Sequence, residues 1–249
     1  MASLVGSRVE RKEDKKFLTG KGRYTADITL AHQTHAVFVR SPHARAQIKK
    51  VDTSKALKAS GVVAVLTGKD LADDKIGGLI AGWKIVSEDG TDMKVPAHPA
   101  LATETVNYVG DHIAVVIAET LEEARDAADM VKVDYKVLKA VVDTDSAMDS
   151  EAIHKDIPKN LCYDWLLGDR AKTKEAFDNA DKVVKIDLRN NRLIPNAMEP
   201  RASIGDYNPS TEEITLYTAN QNPHLTRLVI SAFNAVAPEH KFRVVAPDV

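Results

Sequence analysis

Three amide side chains, Asn220, Gln221 and Asn222, follow one another in the stretch LYTANQNPHLTRLVISAFNAV, from Leu216 to Val236. Amides donate and accept hydrogen bonds without carrying charge, so such a cluster can orient a neutral or weakly basic acceptor. Ile214, Leu216 and Thr218 alternate with polar neighbours as in a half-buried strand, and Asn222-Pro223 supplies an N-cap and a first-turn proline. A helix is predicted from Pro223, with Leu225, Leu228, Val229, Ala232, Phe233 and Val236 recurring on one buried face. Gln221 then precedes a helix N-terminus, where unpaired N–H groups and the positive dipole end favour an anion, an oxo group or a phosphate. The same residues equally suit a turn that satisfies its own backbone.

A second unusual stretch is NNRLIPNAMEPRASIG, in which Pro195 and Pro200 interrupt a strand-like run and Glu199 stands close to Arg201. It reads either as a kinked sheet edge with a surface ion pair or as a backbone bend that faces a cofactor. There is no phosphate-binding glycine loop, nucleophile elbow, HExxH or Cys/His cluster with metal spacing. His32, His35 and His43 fit turns better than a ligand set. The single cysteine, Cys162, excludes an intrachain disulfide framework or a cysteine-rich iron–sulfur motif.

The elements that would hold these residues alternate. THAVFVRS, VVAVLTG, IAVVIAE and VKVDYKVL are β-rich, and TSKALKAS and TLEEARDAADMV are helical, the latter with Thr120 and Glu123 as a capping box. The chain between Asp73 and Val106 is rich in glycine, proline and charge and predicts a long excursion with at most short strands. The expected organisation is an N-terminal arm (1–27), a first domain (28–141), a linker pinned by Trp165 (142–167) and a second α/β unit (168–249). In that unit GDRAKTKEAFDNA is a helix, DKVVKIDLRNNRLI a long strand, residues 201–220 a hairpin turning at 208–211, and FRVVAPDV a last strand. That last strand has nothing after it, so the chain reads as one portion of a longer polypeptide. With 249 residues, 44% hydrophobic content and a net charge of −2 from 34 basic and 36 acidic residues, it is globular, with no surface built for nucleic acid and no membrane span. The N-terminus lacks a secretory signal, which predicts a cytoplasmic protein.

Taken together, GKGRYTADI, RSPHARAQIKKVD, GVVAVLTGKDL, LATETVNYVGDHIAVVIAETLEEARDAADMVKVDY, NNRLIPNAMEPRASI and TANQNPHLTR resemble the molybdenum-cofactor-binding large subunit of the xanthine dehydrogenase, aldehyde oxidase and aerobic carbon monoxide dehydrogenase family. The resemblance implies an α+β chain: an N-terminal α/β-hammerhead domain followed by the start of a molybdopterin-binding α/β domain. It implies that Gln221 donates a hydrogen bond to an oxo ligand of molybdenum, with Asn222 and Glu199 as further cofactor-binding candidates. It implies a molybdopterin-type molybdenum cofactor in the complete subunit, iron–sulfur clusters and FAD on partner subunits or domains, and a dimer of heterotrimers. The family's glycine-rich cofactor loop and its glutamate base lie beyond any matching residue here, so the chain holds no catalytic residue of its own and is expected to be inactive alone. Cys162 does not match the active-site cysteine of carbon monoxide oxidation. A separately encoded, non-catalytic module that docks with a cofactor-bearing partner is the alternative.

Overall fold

A computed structural model describes residues 5–249. They form two compact units, one from residues up to Leu79, Pro99–Val137 and Arg201–Val249, the other from Ile80–His98 and Leu138–Pro200. The first unit opens with a short helix, α1 (Asp14–Leu18), and a 3-10 turn at Thr25–Asp27. Strands β1 (His35–Arg40), β2 (Ala46–Asp52) and β3 (Val62–Thr67) follow, then helix α2 (Gly68–Asp73). After the excursion come β4 (Thr105–Val106), β5 (His112–Ala118), helix α3 (Leu121–Met130) and β6 (Lys132–Val137). Two three-stranded antiparallel sheets result, ordered β1-β5-β3 and β4-β2-β6.

The central strand β5 is buried along most of its length, which explains its continuous apolar run where the edge strand β1 alternates. Helix α3 covers the β1-β5 face with small residues, Ala124 and Ala127 being fully buried, so helix and sheet approach closely. The Thr120 hydroxyl accepts the Glu123 N–H at 3.2 Å, so the predicted N-cap forms, but the reciprocal half of the box does not: the Glu123 carboxylate accepts the Thr120 hydroxyl at 2.9 Å in place of the backbone N–H. One core cluster holds Ala56, Val65, Val116, Ala127 and Val131, and another Ala46, Ala102, Val106 and Ile113; Val51 and Val133 pack against both and join the two sheets.

The second unit contains little regular structure. Helix α4 (Arg170–Asp178) is capped by Asp169, whose side chain accepts the Lys172 N–H. The excursion carries one isolated bridge, Val86 with Asp92, and its backbone bonds to 162–164 through Lys94 N–H to Cys162 and Glu88 N–H to Asp164. Arg170 reaches Glu88 at 2.6 Å. Trp165 is 58% exposed; the hydrogen bonds of that part come from Asn160, whose amide donates to the carbonyls of Ala147 and Glu151 and accepts the Ile153 N–H.

The remaining elements belong to the first unit: β7 (Ser203–Asn208), β8 (Glu213–Thr218), α5 (Pro223–Leu228) and β9 (Phe242–Val245), in a sheet ordered β7-β8-β9. The hairpin turns where Asn208 accepts the Ser210 N–H at 2.9 Å, as its Asn-Pro-Ser-Thr sequence predicts. β9 is parallel to β8, so β8-α5-β9 is a crossover unit.

Three expectations need correction, and one strand, β2, lies outside the predicted β-rich runs. TSKALKAS forms only a 3-10 turn at Ala56–Lys58, because Gly61, at a φ of +70°, turns the chain straight back into β3. The strand β2 escapes the period-2 pattern because its register shifts between Ile48 and Lys50, leaving two adjacent lysines. DKVVKIDLRNNRLI pairs with no strand among the described residues, and an alternating sequence becomes a strand only where a ladder partner exists. The helix from Pro223 widens into a π-helical turn over Val229–Phe233, which breaks the 3.6-residue stripe; Leu225, Phe233 and Val236 stay 53%, 54% and 42% exposed.

Candidate functional site

The junction between β8 and α5 is built by side-chain capping. The Asn222 carboxamide oxygen accepts the Leu225 N–H at 3.2 Å, and Pro223 takes the first helical position, where its missing N–H costs nothing. Asn220 braces the turn from the other side, accepting the Asn222 N–H at 2.7 Å and donating to the Thr226 hydroxyl. Thr226 returns both its N–H, at 3.1 Å, and its hydroxyl, at 3.2 Å, to the Asn222 carbonyl. The end of β8 is held in turn: the Thr218 hydroxyl lies 2.9 Å from that of Ser203 across the hairpin.

These bonds change the chemistry open to the helix start. With Pro223 lacking a donor and the N–H groups of Asn222, Leu225 and Thr226 engaged internally, the first turn is not an open anion cradle. Gln221 remains: it is exposed, and its side-chain amide has no hydrogen-bond partner among the described residues. The turn-satisfying work falls to Asn220 and Asn222, and Gln221 projects a neutral donor that the fold does not consume. A neutral donor suits an oxygen acceptor of modest charge better than a multiply charged phosphate, which would call for Lys, Arg or several N–H groups.

Topology places this donor. In a parallel crossover unit, ligands bind beyond the carboxyl ends of the strands. Gln221 leaves the sheet just after Thr218, at the end where β9 finishes with Val245, paired to Tyr217. The chain beyond β9 is fixed there by the N-terminal arm: Asp248 accepts the Arg23 N–H at 2.7 Å, pairs with the Lys16 ammonium, and donates its own N–H to the Arg23 carbonyl at 3.1 Å. Those bonds hold the Asp248 carboxyl below its ordinary value, Lys16 first and the Arg23 N–H second. Composition alone gave no sign of this clasp between residues 16–23 and 248, which joins positions more than two hundred residues apart.

The loop that follows α2 is latched to the end of the π-helical turn. The Asn234 amide donates to the carbonyls of Gly77 at 2.9 Å and Gly78 at 2.7 Å, and its carbonyl accepts the Gly77 N–H at 3.0 Å. The first and last parts of this unit are therefore hydrogen-bonded to one another at two places, through side chain and backbone at Asn234 and at Asp248.

Asn222 acts locally as the helix cap, with its NH2 group left over. Glu199, half-buried, lies in the second unit in an irregular stretch that contains Asn196 at a φ of 51°, a left-handed conformation at the Pro195-Asn196 bend. A groove of about 630 Å³ lies elsewhere, at the beginnings of β8 and β9 beside His224, Arg227, His240 and Arg243, with Arg227 bonded to Glu239 at 2.9 Å. It does not include Gln221. No group of His, Cys, Asp and Glu among the described residues is arranged to hold a metal ion.

Residues 19–139 match the family described as aldehyde oxidase and xanthine dehydrogenase, a/b hammerhead domain, and residues 153–249 match the molybdopterin cofactor-binding domain. The chain is 32% identical to the nicotine 6-hydroxylase large subunit of Paenarthrobacter nicotinovorans over 99% of its own length and 29% of that protein. It is 33% identical to the carbon monoxide dehydrogenase large chain of Afipia carboxidovorans over 98% of its length and 30% of that chain. Among solved structures, quinoline 2-oxidoreductase from Pseudomonas putida 86 superposes with a TM-score of 0.85 at 32% identity, covering 98% of this chain and 30% of the other. The chain thus spans about three-tenths of the length of these relatives. With the hammerhead match over its first half and the cofactor-binding match over its second, this chain belongs to the aldehyde oxidase and xanthine dehydrogenase family of molybdenum-cofactor-binding large subunits.

Proposed function

We propose that this chain forms the hammerhead and the first part of the cofactor-binding region of a molybdenum-dependent oxidoreductase, with Gln221 as its donor toward the molybdenum cofactor. The observation that carries the reading is the uncommitted amide of Gln221 at the carboxyl end of a parallel crossover unit, inside the stretch that matches the molybdopterin cofactor-binding domain. The cofactor, when bound, supplies two-electron oxidation of a substrate carbon, in the class of carbon monoxide, aldehydes, purines or other nitrogen heterocycles. Gln221 orients it with one hydrogen bond to an oxygen ligand, while Asn220 and Asn222 fix the turn from which that amide projects. The NH2 group of Asn222 and the carboxylate of Glu199 are secondary candidates for cofactor contacts. Electrons leave through iron–sulfur clusters and FAD on partner subunits, in a cytoplasmic dimer of heterotrimers.

The test is Gln221→Ala in the native assembly. A donor aimed at developing charge is worth about 3 kcal/mol, so turnover falls roughly ten- to a thousandfold. The molybdenum spectrum shifts while cofactor content and melting temperature hold, because no intramolecular bond of Gln221 is lost. A lowered melting temperature with unchanged turnover and spectrum would return Gln221 to the role of a turn residue.

A further inference from the structure

The ladder at the carboxyl end of the crossover unit stops at Val245, opposite Tyr217, and Pro247 has no N–H with which to extend it. Beyond that point the N-terminal arm takes hold of the chain, through both the carboxylate and the N–H of Asp248. The Asp248 side chain is only 18% exposed, unlike the open surface pairs Arg11–Asp14 and Lys69–Asp73, so its pair with Lys16 is partly withdrawn from water and less screened. The arm is itself a folded bracket. Phe17 and Tyr24 stack with ring centroids 6.2 Å apart, and Gly22 lies against both rings: a Cβ there would fall 3.0 Å from the Phe17 ring and 3.2 Å from that of Tyr24. The Tyr24 N–H donates to the Asp27 carboxylate at 2.9 Å, Thr25 and Ile28 are buried, and the 3-10 turn at 25–27 lies beside β7. The arm thus reaches β7 at one edge of the β7-β8-β9 sheet and the extension of β9 at the other, and β8, which leads into Gln221, is the strand between them.

We infer that the arm is the positioning element of the cofactor-facing end of this sheet, with Lys16 and Asp248 as positioning residues that act on the cofactor through the segment 246–249 and do not touch it. Ligands of a parallel crossover unit lie beyond the carboxyl ends of its strands, and the chain that leaves β9 there has to be ordered before it can face one. Thr25 and Ile28 already anchor the arm in the unit by burial, so the clasp is not needed to hold the arm down; what it fixes is the projecting end of β9. The Arg23 backbone sets where the chain passes, through the bonds to Asp248 Oδ2 and from the Asp248 N–H, and the Lys16 ammonium sets the direction of the carboxylate through Oδ1. A displacement of about 1 Å at such a place can cost up to about a hundredfold in rate although no catalytic group is lost. The inference rests on the proposed position of the cofactor at the carboxyl ends of β8 and β9, and not on the hydrogen bond from Gln221.

The experiment uses the complete molybdenum enzyme, purified from its own host, with Asp248→Ala, Asp248→Asn, Lys16→Met or Lys16→Arg, and reads molybdenum content, kcat per bound molybdenum, the molybdenum spectrum and the melting temperature. Asp248→Ala is expected to lower kcat per molybdenum roughly ten- to a hundredfold and to shift the spectrum. Asp248→Asn and Lys16→Met, which remove the charge pair and leave the backbone bond to Arg23, are expected to lower it about three- to tenfold, and Lys16→Arg to restore most of that loss. Arg11→Gln, which breaks the exposed pair with Asp14 on the same arm, leaves every readout unchanged. Normalising to bound molybdenum keeps the result readable where a variant folds less well. Wild-type kcat per molybdenum and spectrum in Asp248→Ala, with the loss confined to molybdenum content or melting temperature, would make the clasp a structural tie and overturn the inference, as would equal losses in Lys16→Arg and Lys16→Met. If Gln221→Ala is silent in rate and spectrum while Asp248→Ala changes both, the bracket stands and the donor role of Gln221 falls; the reverse pattern removes the bracket alone.

Discussion

Among neighbouring residues of one chemical type, the fold distinguishes sharply. Asn220, Gln221 and Asn222 are three consecutive amides, but the outer two are spent on the turn and only the middle one projects unbonded. Residue type could not separate them, because an amide that caps a helix and an amide that awaits a ligand read identically. At the same scale, Asp248 makes a testable contribution. Its carboxyl is held below the ordinary value of 3.8 by Lys16 and the Arg23 N–H, so its stabilising effect is present in full above pH 3.8 and is lost as the pH falls through the lower native value. The Arg23 amide resonance should report this. It is expected downfield at neutral pH, to move upfield as the pH drops below 3.8, and to sit upfield at every pH in Asp248→Asn. A resonance that stays the same in the variant at neutral pH would show that the arm is held by other contacts.

At the scale of elements, the latch between the loop after α2 and the end of the π-helical turn leaves no space for a side chain. A Cβ at Gly77 would lie 2.3 Å from the Phe233 carbonyl oxygen, a backbone atom that cannot rotate away. Gly77→Ala should therefore displace the loop, break the Asn234 bonds and destabilise the first unit by about 1–3 kcal/mol, read as a fall in melting temperature of several degrees. Asn234→Ala should reproduce part of that loss without the steric clash. The π-helical turn itself was not legible: the apolar spacing from Leu225 to Val236 fits an α-helix, and the register change at Val229 emerges only in the folded chain. By contrast the helices begun by Thr120 and Asn222 were legible, since their caps are local and use side chains within three residues of the first turn.

For the whole molecule, the isolated chain is expected to show no sustained oxidation of carbon monoxide, aldehydes or purines, even with molybdopterin cofactor and an artificial electron acceptor. At the junction between β8 and α5 the chain supplies a side-chain donor, Gln221, and the turn-fixing amides Asn220 and Asn222; steady turnover would refute the reading of this chain as one part of a site. The sequence by itself determined the family, through motifs spread over most of the chain, and the strands of the two hammerhead sheets whose apolar pattern alternates or runs unbroken. It also determined the hairpin at 208–211 and the capped helix starts, because each depends on contacts a few residues apart. Only the tertiary structure decided that Lys16 and Arg23 meet Asp248, that Gly77 meets Asn234, and that the linker is tied to 87–94 through Cys162 and Asp164 rather than through Trp165. It alone shows that residues 181–194, for all their alternation, make no ladder with the described residues. The physical reason is common to these cases. Local patterns encode which conformation a segment can take, whereas pairing partners far along the chain, or on another chain, decide whether it takes it.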